Sequence, residues 1–185
     1  MRAMITMAIQ YMFLEIYKIP PMQASAFISY INLPWTPKLL YGIITDVFPI
    51  CGSGKRSYVF LMGMLQALSC LAIAIFGPYF ENAVWVMLLA CVNSMGGAFM
   101  DVVVDGLMVI NARKDPTAGS EELQAYSWGF YGAGGITGCL LSGYFLGPMA
   151  DPYPCFYIMT IFGASVGIAG LFIDKSLEEN QTEMV

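Results

Sequence analysis

Five stretches of this chain contain no charged side chain: residues 19–37, 57–80, 82–100, 123–150 and 152–173. A helix needs roughly 20 apolar residues to cross a hydrocarbon core, so several of these stretches are long enough unaided. Hydrophobic residues make up 58% of the 185 and charged residues only 11%, whereas soluble domains carry about a quarter charged residues. A soluble domain of this length has too little interior to hide that much apolar surface. The expected fold class is an all-α membrane protein.

The punctuation between the stretches is chemically marked. "KIPP", "DVFPICGSGKR", "GPYFEN", "NARKDPTAGSEE" and "GPMADPYP" combine proline or glycine with charge, as chain breaks do. Six transmembrane helices follow, at residues 2–18, 21–45, 57–77, 82–110, 123–147 and 153–173. Residues 1–173 form the bundle and 174–185 an acidic cytosolic tail. Lysine and arginine placement sets the orientation. With the N-terminus inside, Arg2, Lys55, Arg56, Arg113, Lys114 and Lys175 are cytosolic, Lys18 is outside, and Lys38 lies within the second helix. Both termini are then cytosolic, and Trp85 and Trp128 fall near the two interfaces, where indoles prefer to lie. The first helix is short, which fits either a naturally clipped span or a fragment.

Several function classes drop out. The chain has no histidine, the commonest general base and metal ligand. Cys51, Cys70, Cys91, Cys139 and Cys155 lack metal-site spacing and sit mostly in apolar runs, so they read as small packing residues. No basic cluster suggests nucleic acid. The net charge of −5 owes much to the tail "DKSLEENQTEMV", which reads as solvated. Its sequon at Asn180 falls on the cytosolic side. No enzyme, cofactor or metal is expected.

The stretch "FMDVVVDGLMVINARK" (99–114) places Asp101 and Asp105 among valine, leucine, methionine and isoleucine. From Arg113, Asp105 is about 12 Å deep and Asp101 about 18 Å, at a rise of ~1.5 Å per residue. Lys38 is about 12 Å from Asp46 by the same rise. An unpaired charge at a helix centre costs at least ~2.5–3.5 kcal/mol, so such groups face a partner or a wet cavity. Asp101 and Asp105 are i and i+4, on one helix face. The expectation is that Lys38 pairs with Asp105 while Asp101 faces a cavity; a purely structural network is the alternative.

In "NLPWTPKLLYG", Pro34 and Pro37 each remove a backbone donor and release the carbonyls of Tyr30 and Leu33. Interrupted helices at membrane depth are tolerated where backbone lines a cavity, and a simple kink fits equally well. The fifth helix carries seven glycines, with Gly134/Gly138 and Gly143/Gly147 as GxxxG pairs, which are expected to bring helices close.

Three segments together resemble the folate–biopterin transporter family of the major facilitator superfamily, specifically its N-terminal six-helix half. They are "LPWTPKLLYGIITDVFPICGSGKRSYVFL" (33–61), "DVVVDGLMVINAR" (101–113) and "LQAYSWGFYGAGGITG" (123–138). Gly42, Asp46, Gly54, Lys55 and Arg56 fit the superfamily's loop pattern with a longer insert. The resemblance implies half of a twelve-helix bundle that carries pteridines, often with protons. It implies a gating loop of Gly42, Asp46, Gly54, Lys55 and Arg56, and a pathway lined by Lys38, Asp101 and Asp105. A carboxylate accepts the paired N–H edge of a pterin bidentately, which suits Asp101. Lys38 suits a glutamate tail, and Tyr30, Trp35 and Tyr41 suit ring stacking, although aromatic residues also serve packing. The family pattern leads to a proline just after the lysine; here Leu39 stands there and Pro37 precedes it.

The second half is missing, and alternating access needs one half moving against another. Three readings follow. One is a half-transporter that works as a homodimer or with a separately encoded partner chain in the lipid bilayer. Another is a remnant serving as an accessory subunit of a larger membrane complex, and the last is a truncated gene product.

Overall fold

The computed structural model describes residues 2–48, 50, 55–112 and 119–173. Gly54, Cys51, Arg113, Lys114, Lys175, Asn180 and the tail 174–185 lie outside the described residues. Among the described residues there is no strand. Helix α1 (Arg2–Tyr11) runs into a π-helical turn, Met12–Ile16, and is followed by α2 (Pro21–Asn32), a 3-10 turn (Leu33–Trp35) and α3 (Lys38–Val47). Next come α4 (Lys55–Phe76) with a 3-10 turn at Gly77–Tyr79, α5 (Ala83–Ala112), α6 (Gly119–Leu146) and α7 (Tyr153–Gly170). The expected second helix is thus one interrupted rod, α2–α3, and the other helices fall close to the expected positions.

The chain breaks have local causes. After the π turn, Tyr17 N–H donates to the Met12 carbonyl at 2.9 Å. Lys18 then takes a φ of 51°, in the left-handed region that most side chains avoid, and the chain leaves the helix. Pro21 opens α2, where its missing N–H costs nothing because first-turn donors have no intrahelical acceptor. The side chains of Asn82 and Asp151 accept N–H bonds from Val84 and Tyr153, both at 3.0 Å, capping the starts of α5 and α7.

Three helical segments are long and apolar enough to cross a membrane: Lys55–Tyr79, Ala83–Val109 and Tyr153–Gly170. Helix α6 has the length but not the apolar character, since glycine, serine, glutamine and tyrosine fill much of it. Prolines divide α2 from α3, and α1 is short. Much of the outer surface is bulky and apolar, including Leu39, Phe76, Trp85, Phe130, Leu140 and Phe172. Exposed apolar surface on that scale calls for a nonaqueous surrounding. The chain is an integral membrane protein.

The interior has two centres. Met4, Met12, Phe13, Ile73, Val86 and Phe156 pack where α1, α4, α5 and α7 meet. Tyr41, Tyr58, Val59, Met62, Phe99 and Val103 pack where α3, α4 and α5 meet.

The tightest helix approach is not at the Gly143/Gly147 pair that the sequence offered. On α6, a Cβ added at Gly129, Gly132, Gly135 or Gly143 would meet nothing within 4 Å, and one at Gly147 only its own helix at Gly143. Gly138 is buried. The tight seam is α4 against α7. A Cβ on Gly63 would lie 2.6 Å from the Gly167 Cα, and one on Gly163 would lie 3.1 Å from the Ala67 nitrogen. The reason is geometric: a small-residue stripe mates backbones only where the neighbouring helix also presents small residues, and Gly63 and Ala67 supply them.

Candidate functional site: a charged seam between α3 and α5

The proline break is where the site begins. Pro34 and Pro37 cannot donate, so the rod tightens into a 3-10 turn. The carbonyls they release find donors nearby. Leu33 N–H takes the Tyr30 carbonyl, which also accepts Cys91 Sγ at 3.4 Å, and Thr36 N–H takes that of Leu33 at 3.0 Å. The turn sets Trp35 toward α5. Its indole N–H donates to Ser94 Oγ at 3.0 Å.

One turn further on, the Lys38 ammonium donates to Asp101 Oδ2. This corrects the expected pairing: the partner is Asp101, and Asp105 lies one turn further along α5, exposed. Depth counted along each helix matched Lys38 to Asp105 by assuming that α3 and α5 end level; the observed pair offsets the two helices by about one turn, ~6 Å at ~1.5 Å per residue. The pair is only half-buried, with side-chain exposures of 38% and 42%.

Two cations share the Trp35 ring. Lys38 Nζ lies 5.1 Å from the ring centre and Arg2 Cζ 4.0 Å, both within the range of a cation–π contact. Arg2 also donates to Asn32 Oδ1 at 2.7 Å. Arg2 therefore stands at the level of Trp35, roughly 16–18 Å along the rod from Asp46, not at the end of the bundle beside Lys55 and Arg56. Sequence reasoning treated Arg2 only as a topological charge and passed over Ser94; the available signal was a polar pair, Asn93–Ser94, inside an uncharged run. Asn93 joins a second polar group, donating to the Gln66 carbonyl at 3.3 Å and Cys70 Sγ at 3.0 Å.

The remaining expected residues separate by place. Tyr41 is buried, its ring stacked on Phe99 at 4.1 Å and its hydroxyl donated to the Pro34 carbonyl at 2.8 Å. It packs α3 on α5 and bridges the proline break. Tyr30 is exposed, away from the ion pair by two turns of the rod.

At the far end of α3, the Lys55 ammonium lies 3.9 Å from Asp46 Oδ1, with the lysine buried and the aspartate exposed. A Cβ on Gly106 would sit 3.1 Å from that ammonium, so Gly106 lets Lys55 pass under α5. Tyr58 closes the same end by donating to the Phe48 carbonyl at 2.8 Å. Gly42 faces Val102, and Arg56 is half-buried. Asp46, Lys55 and the α5 backbone thus come together, and Gly42 packs on the same helix.

Chemically, the seam offers one neutralised ion pair open to solvent or ligand, one extra carboxylate, and a cation on an indole platform. Among the described residues, no group of three or more His, Cys, Asp or Glu side chains is placed to hold a metal.

The sequence model of the BT1 family matches residues 1–184. A probable folate-biopterin transporter 4 from Arabidopsis thaliana is 26% identical over 97% of this chain and 36% of its own length. The folate-biopterin transporter of Synechocystis sp. is 30% identical over 87% of this chain and 32% of its own. Folate transporter 2 of Plasmodium falciparum is 25% identical over 92% and 36%. The chain spans about a third of the length of these curated relatives. No solved structure matches it. The family and these relatives are named as transporters, not enzymes, and the chain belongs to the BT1 family of folate-biopterin transporters.

Proposed function

We propose that this chain is one half of a membrane transporter for pteridines of the folate and biopterin class. In this reading all six helical segments, with α2–α3 counted as one, cross the bilayer. Both termini face the cytosolic side, with Arg2 reached from that side along the seam; residues 1–173 form the bundle and 174–185 its tail. The observation that carries the reading is the Lys38–Asp101 pair with Asp105 one turn away. A purely structural pair is best sealed from water and ligand, but this one keeps about two-fifths of its side-chain surface open. Ionisable groups at membrane depth are otherwise expensive.

Asp101 and Asp105 accept the paired N–H edge of the pterin ring, and Trp35 provides the stacking surface. With two carboxylates against Lys38, one is in excess and able to carry a proton, which couples uptake to a proton gradient. Asp46, Lys55, Arg56 and the loop through Gly54 hold α3 to α4 and α5 at the cytosolic end and release as that side opens.

A single half supplies one wall of such a pathway, so a second six-helix half completes it, as a second copy or a separate chain. The open α6 face, with Trp128, Phe130, Tyr131 and Leu140 exposed beside its uncontacted glycines, gives that half a place to rest.

The test is uptake of labelled folate and biopterin into vesicles containing the purified chain, with and without an imposed proton gradient, alongside its mass in detergent. Accumulation that collapses with the gradient and with Asp101→Asn supports the reading. A well-folded sample that takes up neither compound, or that runs as a fixed part of a large complex, overturns it in favour of an accessory role.

A further inference from the structure

We propose that Arg2 is the group on this chain that receives a carboxylate of the transported molecule; this rests on the transport reading above and extends it to substrate selection. The argument starts from the shared indole. Of the two cations at Trp35, Lys38 is neutralised by Asp101. Arg2 has no acidic partner among the described residues. Among the described residues its side chain makes one hydrogen bond with a single donor, to Asn32 Oδ1.

A guanidinium carries five N–H donors in a planar fork that matches a carboxylate with two parallel bonds. Asn32 and the Trp35 face together fix the plane of that fork, and Ser94 fixes the indole through its N–H. The arginine is thus held in place from two sides, still exposed, with donors left over. A charged group with spare donors at this depth gains most from an anion.

The order of charges along the seam then selects a ligand. Arg2 and Trp35 come first, Lys38 and Asp101 one turn on, and Asp105 one turn beyond that. The anion-accepting end and the free carboxylate are separated by roughly 10 Å along the axis. A pteridine bearing a carboxylate tail fits both ends at once, with its ring edge toward the aspartates and its tail toward Arg2. A pteridine without a carboxylate engages only the aspartate end.

The measurement is equilibrium binding of folate and of biopterin to the full chain in lipid nanodiscs, with any co-purifying half retained. The readout is the ratio of the two affinities. Arg2→Gln is expected to lower the folate-to-biopterin affinity ratio at least tenfold, and Arg2→Lys to recover part of it, because an ammonium keeps the charge but loses the fork. Asn32→Asp supplies Arg2 with a permanent carboxylate partner and is expected to lower the ratio similarly; it also serves if Arg2→Gln does not fold. An unchanged ratio in both Arg2→Gln and Asn32→Asp overturns the assignment and leaves pteridine transport standing. A wild-type chain that binds neither compound overturns both.

Discussion

Two seams join the central helices to their neighbours, and they are built from opposite materials. Along α4–α7 the contact is backbone on backbone: Gly63, Gly163 and Gly167 leave room for no side chain between the helices. Along α3–α5 the contact is an ion pair, an indole hydrogen bond and a tyrosine stack, with the ion pair half open. Van der Waals mating through glycine has one geometry and is lost by small displacements, because dispersion falls steeply with distance. Polar contacts have a second state, in which each group pairs with water or ligand. The first kind of seam suits a fixed scaffold and the second suits parts that separate and rejoin. The transport reading proposed above needs both, with α4–α7 as its fixed element.

The largest expected effect comes from forcing a side chain into the fixed seam. Gly63→Val places its Cβ 2.6 Å from the Gly167 backbone, where no flexible side chain can yield. Overpacking typically costs about 1–3 kcal/mol and occasionally more; a clash with backbone belongs at or above the top of that range. The expected outcome is a sample that fails to fold or melts well below wild type in detergent. A melting temperature within a degree or two of wild type breaks the comparison, since the seam would then be loose.

The charged seam is expected to respond differently, losing function before stability. Asp101→Asn leaves Lys38 without its carboxylate. Breaking a fully buried pair costs about 3–5 kcal/mol, but this pair is half open, so about 1–2 kcal/mol is the expected loss. Uptake of labelled pteridine is expected to fall to background. Lys38→Met combined with Asp101→Leu removes both charges and restores stability without restoring uptake. If the double variant transports, the pair is structural and the contrast between the seams disappears.

Tyr41→Phe is a smaller change that sharpens the boundary between packing and pathway. It removes the hydroxyl donated to Pro34 and keeps the ring on Phe99, so the expected cost is about 1 kcal/mol, the net worth of one hydrogen bond. The check is thermal unfolding beside substrate affinity. An altered affinity with unchanged stability returns Tyr41 to the pathway.

The parts of this molecule that were legible in the sequence are those set by local chemistry. Uncharged runs, prolines and side-chain caps act within a turn or two, so the helices appeared at close to their final positions. The membrane-depth charges were legible as a group because burial cost depends on depth alone. Their pairing was not, because it depends on how α3 and α5 are offset along their axes, a matter of one helical turn that no composition records. The contacts of Arg2 were hidden for a related reason. A basic residue near the start of an apolar run looks topological until the contact with Asn32 and Trp35, thirty positions on, shows its level. Tyr41 was assigned by residue type, and only packing distinguishes a tyrosine on a neighbouring ring from one beside a passage. Glycine patterns failed likewise: α6 and α7 both carry them, and what decides is the surface presented by the next helix.

That last contrast yields the smallest predicted effect and the closest control. Gly135 on α6 and Gly167 on α7 are the same residue in the same kind of helix, but a Cβ at Gly135 meets nothing within 4 Å while one at Gly167 lies 3.2 Å from the Phe60 carbonyl oxygen. In the isolated chain, Gly135→Ala is expected to be neutral or stabilising by up to about 1 kcal/mol, because alanine gives up less backbone entropy in a helix. Gly167→Ala is expected to destabilise. Repeating both in an assembled sample separates the occupants of the open face. Lipid chains rearrange around an added methyl, so Gly135→Ala remains neutral if lipid covers α6. A second half packed on those glycines does not rearrange, and the same substitution then shifts the detergent-resolved mass toward the single chain while the melting temperature of that chain stays where it was.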